Sequence, residues 1–233
     1  VKRRFKYIMD KLYQYLYKDG TVGPRDKNLT KTPIGVVYYL QNSNSGWAIA
    51  LHDVNEGGSD QIQWNNTTTQ ETSHPVTSYT DLIIDNSTQS YFPAGSAIQA
   101  ARNYTPQPST GQWNIPSFSW FFNAGISLGK MMEESFDIYK KYENGLDFLI
   151  PSSAVGFTPA PSTINFPAMN ITRFNNAFTK VGGEAPSGTY WTATECKDGT
   201  EYKQATVTIT GNKFQLNLKP KTSTAKIRPF ISF

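Results

Sequence analysis

The chain has 233 residues, 38% of them hydrophobic and 17% charged, enough apolar side chain for one buried core and too little charge for a disordered or coiled-coil chain. The net charge of +4 is a small excess over Lys2, Arg3, Arg4 and Lys6 and over Lys213, Lys219, Lys221, Lys226 and Arg228. It reads as solvated surface, not as the one-sided basic face of a nucleic-acid binder. A single cysteine, Cys196, excludes an intrachain disulfide, and no apolar run approaches the ~18–20 residues of a membrane span.

Residues 4–17 place Phe5, Ile8, Met9, Leu12 and Leu16 at helical spacing. The expectation is an amphipathic helix in an arm and linker, 1–31, able to dock on its own domain, on a neighbour or on copies of itself. Tyr7, Tyr13, Tyr15 and Tyr17 widen the stripe beyond one face. Ile34 to Leu40 is β-branched and aromatic and reads as a buried strand. Asn42 to Gly46 is its hairpin loop, and Trp47 to Leu51 the return strand. Residues 53–80 are polar and aperiodic, a long surface loop.

Pro93 to Tyr104 reads as a helix with a proline in its first turn. Trp113 to Ser117 is a short strand, and Ser117 or Ser119 can cap a helix rich in Phe118, Trp120, Phe121 and Phe122. Residues 130–142 look helical, 144–168 look like a loop, and Ile171 to Val181 is a helix stopped by Gly182-Gly183. Tyr190–Thr194, Tyr202–Thr210, Lys213–Leu218 and Ile227–Phe233 then form an antiparallel meander with apolar residues at alternate positions.

Catalytic patterns are scarce. His52 ends a strand and His74 lies in a polar loop, in no metal-binding spacing. Cys196 follows Glu195, whose charge would raise the thiol's pKa and so favours an inert thiol. Glycine-rich phosphate loops are absent, and Asp53 to Asp60 misses the spacing of a twelve-residue calcium loop. The expectation is no catalytic residue, no metal and no cofactor.

Four segments carry a resemblance: Pro33 to Tyr39 followed by Gly46 to Leu51; Trp113-Asn114-Ile115-Pro116-Ser117; Tyr190-Trp191-Thr192-Ala193-Thr194-Glu195; and Arg228-Pro229-Phe230-Ile231-Ser232-Phe233. In this order they resemble the Lcl C-terminal-like family of gut Bacteroidetes surface proteins and their phages, over residues 32–233. Ile115 stands where that family has leucine, and 124–168 looks like an insertion.

The resemblance implies an α+β, C-type-lectin-like fold: a small twisted antiparallel sheet, two or more helices, long loops, and paired N- and C-terminal strands. The calcium-binding tripeptides of lectins with this fold are missing. The variable proteins of diversity-generating retroelements share the fold and bind ligand between the Tyr-Trp motif and the last strand, here Glu195 to Lys226. On the polar face of that interval the expected ligand-binding residues are Lys197, Tyr202, Gln204, Asn212, Gln215 and Asn217, whose amides and aromatic ring suit sugar hydroxyls. Trp64, Asn65 and Asn66 are the next such cluster. Arg228 is expected to support the fold, with Glu195 as its candidate partner.

Together these point to a non-enzymatic recognition domain on a virion or bacterial surface that binds a glycan or cell-surface protein. The alternative is a structural assembly module of a phage particle or surface fibre, docked or oligomerised through residues 4–17.

Overall fold

In the computed structural model, which describes residues 13–26, 30–55, 57–65, 96–131, 163–166, 168–198 and 201–233, the first element is a strand. Strand β1, Gln14–Tyr17, pairs antiparallel with both β2, Val22–Gly23, and β3, Pro33–Asn42. This corrects the helix expected through residue 17; residues 4–12 lie outside the described residues. The physical reason is a period of two. Tyr13, Tyr15 and Tyr17 are buried in one core and Leu16 in the core behind the sheet, as alternating side chains of a strand require. The 1–31 segment is therefore no separate arm where it is described, because β1 lies between two strands of the main sheet.

With β4, Ser45–Ala50, and β11, Phe230–Ser232, that sheet has the order β11-β4-β3-β1-β2. Strands β3 and β4 form the expected hairpin, closed where Asn44 N donates to Asn42 Oδ1 at 2.9 Å. The uninterrupted apolar run of β3 follows from burial on both faces. Val36 and Tyr38 enter one core, Ile34 and Val37 the other. Gly35 allows this, since a Cβ there would stand 3.0 Å from the Ile49 carbonyl oxygen and 3.4 Å from Trp113 Cη2.

Under one face lie α1, Ala97–Arg102, capped by Ser96, and the segment through Trp113 and Ile115. The expected strand at 113–117 is reduced to one bridge, Asn114 to Phe230. Against the other face pack α2, Phe118–Gly129, and α3, Ile171–Thr179. The Ser117 side chain accepts from Trp120 N, as its position predicts. Lys130, in the left-handed region at φ 48°, ends α2; residues 132–142 of the next expected helix are outside the described residues. At α3 the stop is Gly182, at φ 80°.

Behind α2 and α3 stands a second antiparallel sheet of order β6-β9-β8-β7. It comprises β6, Thr163–Phe166; β7, Gly188–Asp198; β8, Glu201–Thr210; and β9, Lys213–Pro220. Strand β6 corrects the loop expected over 144–168, and Phe166 on it is buried. The meander also ends sooner than expected. Strand β11, Phe230–Ser232, crosses to the first sheet and pairs with β4. A third, two-stranded ladder joins β5, Ile62–Gln63, to β10, Thr224–Ala225, so part of the expected 53–80 loop is strand. The architecture is α+β and rich in antiparallel sheet.

Candidate functional site

The outer face of the second sheet is built by alternation. On β8 and β9, Ala205, Val207, Ile209, Phe214 and Leu216 point into the core and are buried. Thr208, Gln215 and Asn217 fall on the opposite face and are half-buried. The register sets Thr189, Thr208, Gln215 and Asn165 side by side across β7, β8, β9 and β6. Their side chains hold one another: the Thr189 and Thr208 hydroxyls lie 2.9 Å apart, Asn217 Nδ2 donates to Thr208 Oγ1 at 3.0 Å, and Gln215 Nε2 donates to Asn165 Oδ1. The result is an uncharged row of hydroxyls and amides.

Not every expected residue reaches this row. Gln215 and Asn217 are in it, two positions apart on one strand. Asn212 is exposed in the Gly211–Asn212 turn at one end of β8, where its carbonyl accepts from Met169 N. The backbones of Lys197 and Tyr202 pair at the opposite end, and their side chains lie outside the described residues. Strand β8 has 10 residues, so the two ends are roughly 30 Å apart at ~3.4 Å per residue. Gln204 departs from the expectation of an exposed face. It is fully buried, and its Nε2 donates to the Thr192 carbonyl at 2.7 Å.

The second aromatic candidate is also covered. Trp64 is buried, with its ring 5.9 Å from that of Trp191, whose Nε1 donates to the Ile62 carbonyl at 2.7 Å. Residue 66 lies outside the described residues. Thr208, Asn165 and Thr189 complete the row and were not among the expected binding residues. The alternation of Ile164 and Phe166 around Asn165 was the available signal.

Arg228 is 1% exposed and pairs with Asp53, Nε to Oδ1 at 2.7 Å; the side chain of Glu195, its expected partner, lies outside the described residues. The Arg228 Nη1 donates to the Ala50 carbonyl at 3.1 Å. Lys226 bridges Asp53 at 3.4 Å and Asp60 at 3.0 Å, and the Tyr190 hydroxyl donates to Asp53 Oδ2 at 3.1 Å. Burial raises the Tyr190 pKa well above the usual phenol value, opposed by Arg228 and assisted by Asp53. At Lys226 burial works against the charge, and the Asp60 and Asp53 carboxylates outweigh it, so its pKa rises. Asp60 is lowered, first by its hydrogen bond from Lys226. This network fastens the 53–60 segment to the chain before β11.

Among the described residues no group of three or more His, Cys, Asp and Glu side chains could hold a metal ion. His52 is exposed at the end of β4; His74 and the Cys196 side chain lie outside the described residues. No helix among the described residues is long and apolar enough to cross a membrane.

No family model matches the chain, and no curated protein matches it. Among solved structures it is similar to a fimbrial protein from Bacteroides ovatus, at 17% identity and a TM-score of 0.38 over 94% of this chain. The chain spans 48% of that protein's length.

Proposed function

We propose that this chain is a non-enzymatic recognition domain of the C-type-lectin-like kind, displayed on a virion or bacterial surface, which binds a glycan or protein receptor. The observation that carries the reading is the row of Thr189, Thr208, Asn217, Gln215 and Asn165. Sugar hydroxyls need paired donors and acceptors, which hydroxyl and amide groups supply without the desolvation cost of a charge. Because these side chains fix one another, little rotamer entropy is lost on binding. The pairing of N- and C-terminal strands that the resemblance implies is not met, since β11 pairs with β4 while β1 pairs with β2 and β3; what supports the lectin-like reading is the return of β11 to the sheet that holds the first long hairpin.

The test is a glycan array, read beside binding to intact cells, for the wild type and for Gln215→Ala with Asn217→Ala. Loss of both amides should weaken binding by about 2 kcal/mol, near thirtyfold, with the fold retained. Undiminished binding by the folded double variant would remove the face from the reading. The second reading, a structural assembly module, is favoured by the hairpin tip. Tyr39 and Leu40 are the exposed large hydrophobics of the described residues, at 47% and 40%, and the Tyr39 ring lies 4.5 Å from that of Trp47. Binding to neither glycans nor cells, with a multimeric mass that falls on Tyr39→Ala, would favour that reading instead.

A further inference from the structure

A cleft of about 340 Å³, sharing no residue with the hydroxyl and amide row, opens where the β1–β3 end of the first sheet meets the end of α3. Its walls bring together Arg25, Lys31 and Lys180 with Asp26 as the one acid among its described lining residues. Arg25 and Lys31 come from the connection between β2 and β3, and Lys180 from the end of α3, so only the fold brings the third cation to the other two. The volume sits at the lower end of the range for small-ligand pockets, about 300–1,000 Å³, and suits a single sugar ring better than a macromolecular surface.

The charges in the cleft are not equivalent. Lys31 is engaged, with Nζ 3.2 Å from Asp19 Oδ2 and donating to Thr21 Oγ1 at 2.7 Å. Asp26 is engaged as well. Its Oδ2 accepts from Thr30 N and Thr30 Oγ1, each at 2.7 Å, and from Lys31 N at 2.9 Å. The Tyr17 hydroxyl, on the floor, donates to the Pro24 carbonyl and accepts from Asp26 N. Arg25 and Lys180 remain. Neither forms an ion pair among the described residues, and Lys180 rests over the Tyr13 ring with Nζ 5.2 Å from its centroid.

Two objections from electrostatics fail on the geometry. The C-terminal end of a helix repels anions through its unpaired carbonyls. Here the Asn176, Phe178 and Thr179 carbonyls accept from Lys180 N, from Val181 N and Gly183 N, and from Gly182 N, so that negative end is covered. Asp26 keeps its charge, but three hydrogen bonds hold its Oδ2 toward its own loop, and Arg25, Lys31 and Lys180 line the cleft against it.

We propose that this cleft is a second binding site, separate from the sheet face, which takes an oxyanion-bearing sugar unit, carboxylated or sulfated. The Arg25 guanidinium supplies the planar fork that matches such a group, and Lys180 the second positive charge. Thr179 Oγ1 donates to the Asn175 carbonyl at 3.2 Å, which leaves its lone pairs to accept from a ring hydroxyl. Pro33 and Val181 provide apolar wall for the ring's C–H face.

The experiment titrates the whole chain with glucuronate, glucose 6-sulfate, glucose and inorganic sulfate, followed by calorimetry, at low and high salt. Both sugar acids should bind saturably, glucose and free sulfate at least tenfold more weakly, and raised salt should weaken the acids. Arg25→Ala and Lys180→Ala should each reduce sugar-acid affinity at least tenfold without moving the melting temperature, while Gln215→Ala with Asn217→Ala leaves it unchanged. Preference between the two acids identifies which oxyanion the site reads. No saturable binding of either acid, or binding that survives both cation substitutions, overturns the proposal. Equal binding of inorganic sulfate, or tighter binding of a glutamate-rich peptide, overturns its assignment to a sugar.

Discussion

Arg228 and Asp53 form a pair in which one partner is wholly buried and the other 15% exposed. Removing one member of such a pair leaves an uncompensated charge, which costs about 3–5 kcal/mol. Asp53→Ala is therefore expected to lower the free energy of unfolding by about 3 kcal/mol in a urea titration, and a cycle with Arg228→Met should show strong coupling. Additive losses would mean that the Ala50 carbonyl alone holds the guanidinium. The sequence indicates that Arg228 is structural but not that Asp53 is a partner, because Asp53 reaches it only through the fold. Gln204 shows the same limit. Alternation correctly separates it from Ala205, yet no local pattern reveals the cover over that end of the sheet. Gln215 and Asn217 were legible because nothing but their own strand decides which way they face.

Strand β1 has the clearest consequence at the level of elements. It is an interior strand, bonded to β2 on one side and β3 on the other, and it buries Tyr13, Tyr15, Leu16 and Tyr17. Deleting residues 1–18 removes these side chains and exposes the edge of β3. The expected outcome is loss of the native fold, seen as a collapsed near-ultraviolet dichroism signal, and not a folded domain of smaller assembly state. A folded product would mean that β3 tolerates a free edge. Elements whose signals are local were readable: the β3–β4 hairpin from its turn, α2 from Ser117, α3 from Gly182, and β7 to β9 from their short connections. Strands β1 and β6 were not. The first has four residues and lies in a stretch where Phe5, Ile8, Met9, Leu12 and Leu16 fit a helical stripe; the second also has four, and its pairing with β9 is set from far along the chain.

At the scale of the whole molecule, the first sheet separates two apolar clusters, one holding Phe121 and the other Ile98. Since β3 and β4 contribute to both, neither cluster can dissolve while the other persists. Phe121→Ala is expected to cost about 3–5 kcal/mol and Ile98→Ala about 2–5 kcal/mol, each shifting one common transition. Tryptophan fluorescence and far-ultraviolet dichroism should give coincident unfolding curves in both variants; separated curves would show that the clusters melt independently. The closure of this sheet by β11 also governs how fast the molecule can form. Arg228 meets the Ala50 carbonyl across 178 positions of sequence, and β11 pairs with β4 just beyond. Almost the whole intervening chain must be looped before those contacts repay its entropy. Refolding from denaturant should accordingly proceed on the millisecond-to-second scale of high-contact-order proteins, with the β3–β4 hairpin protected from hydrogen exchange before the β4–β11 pairing.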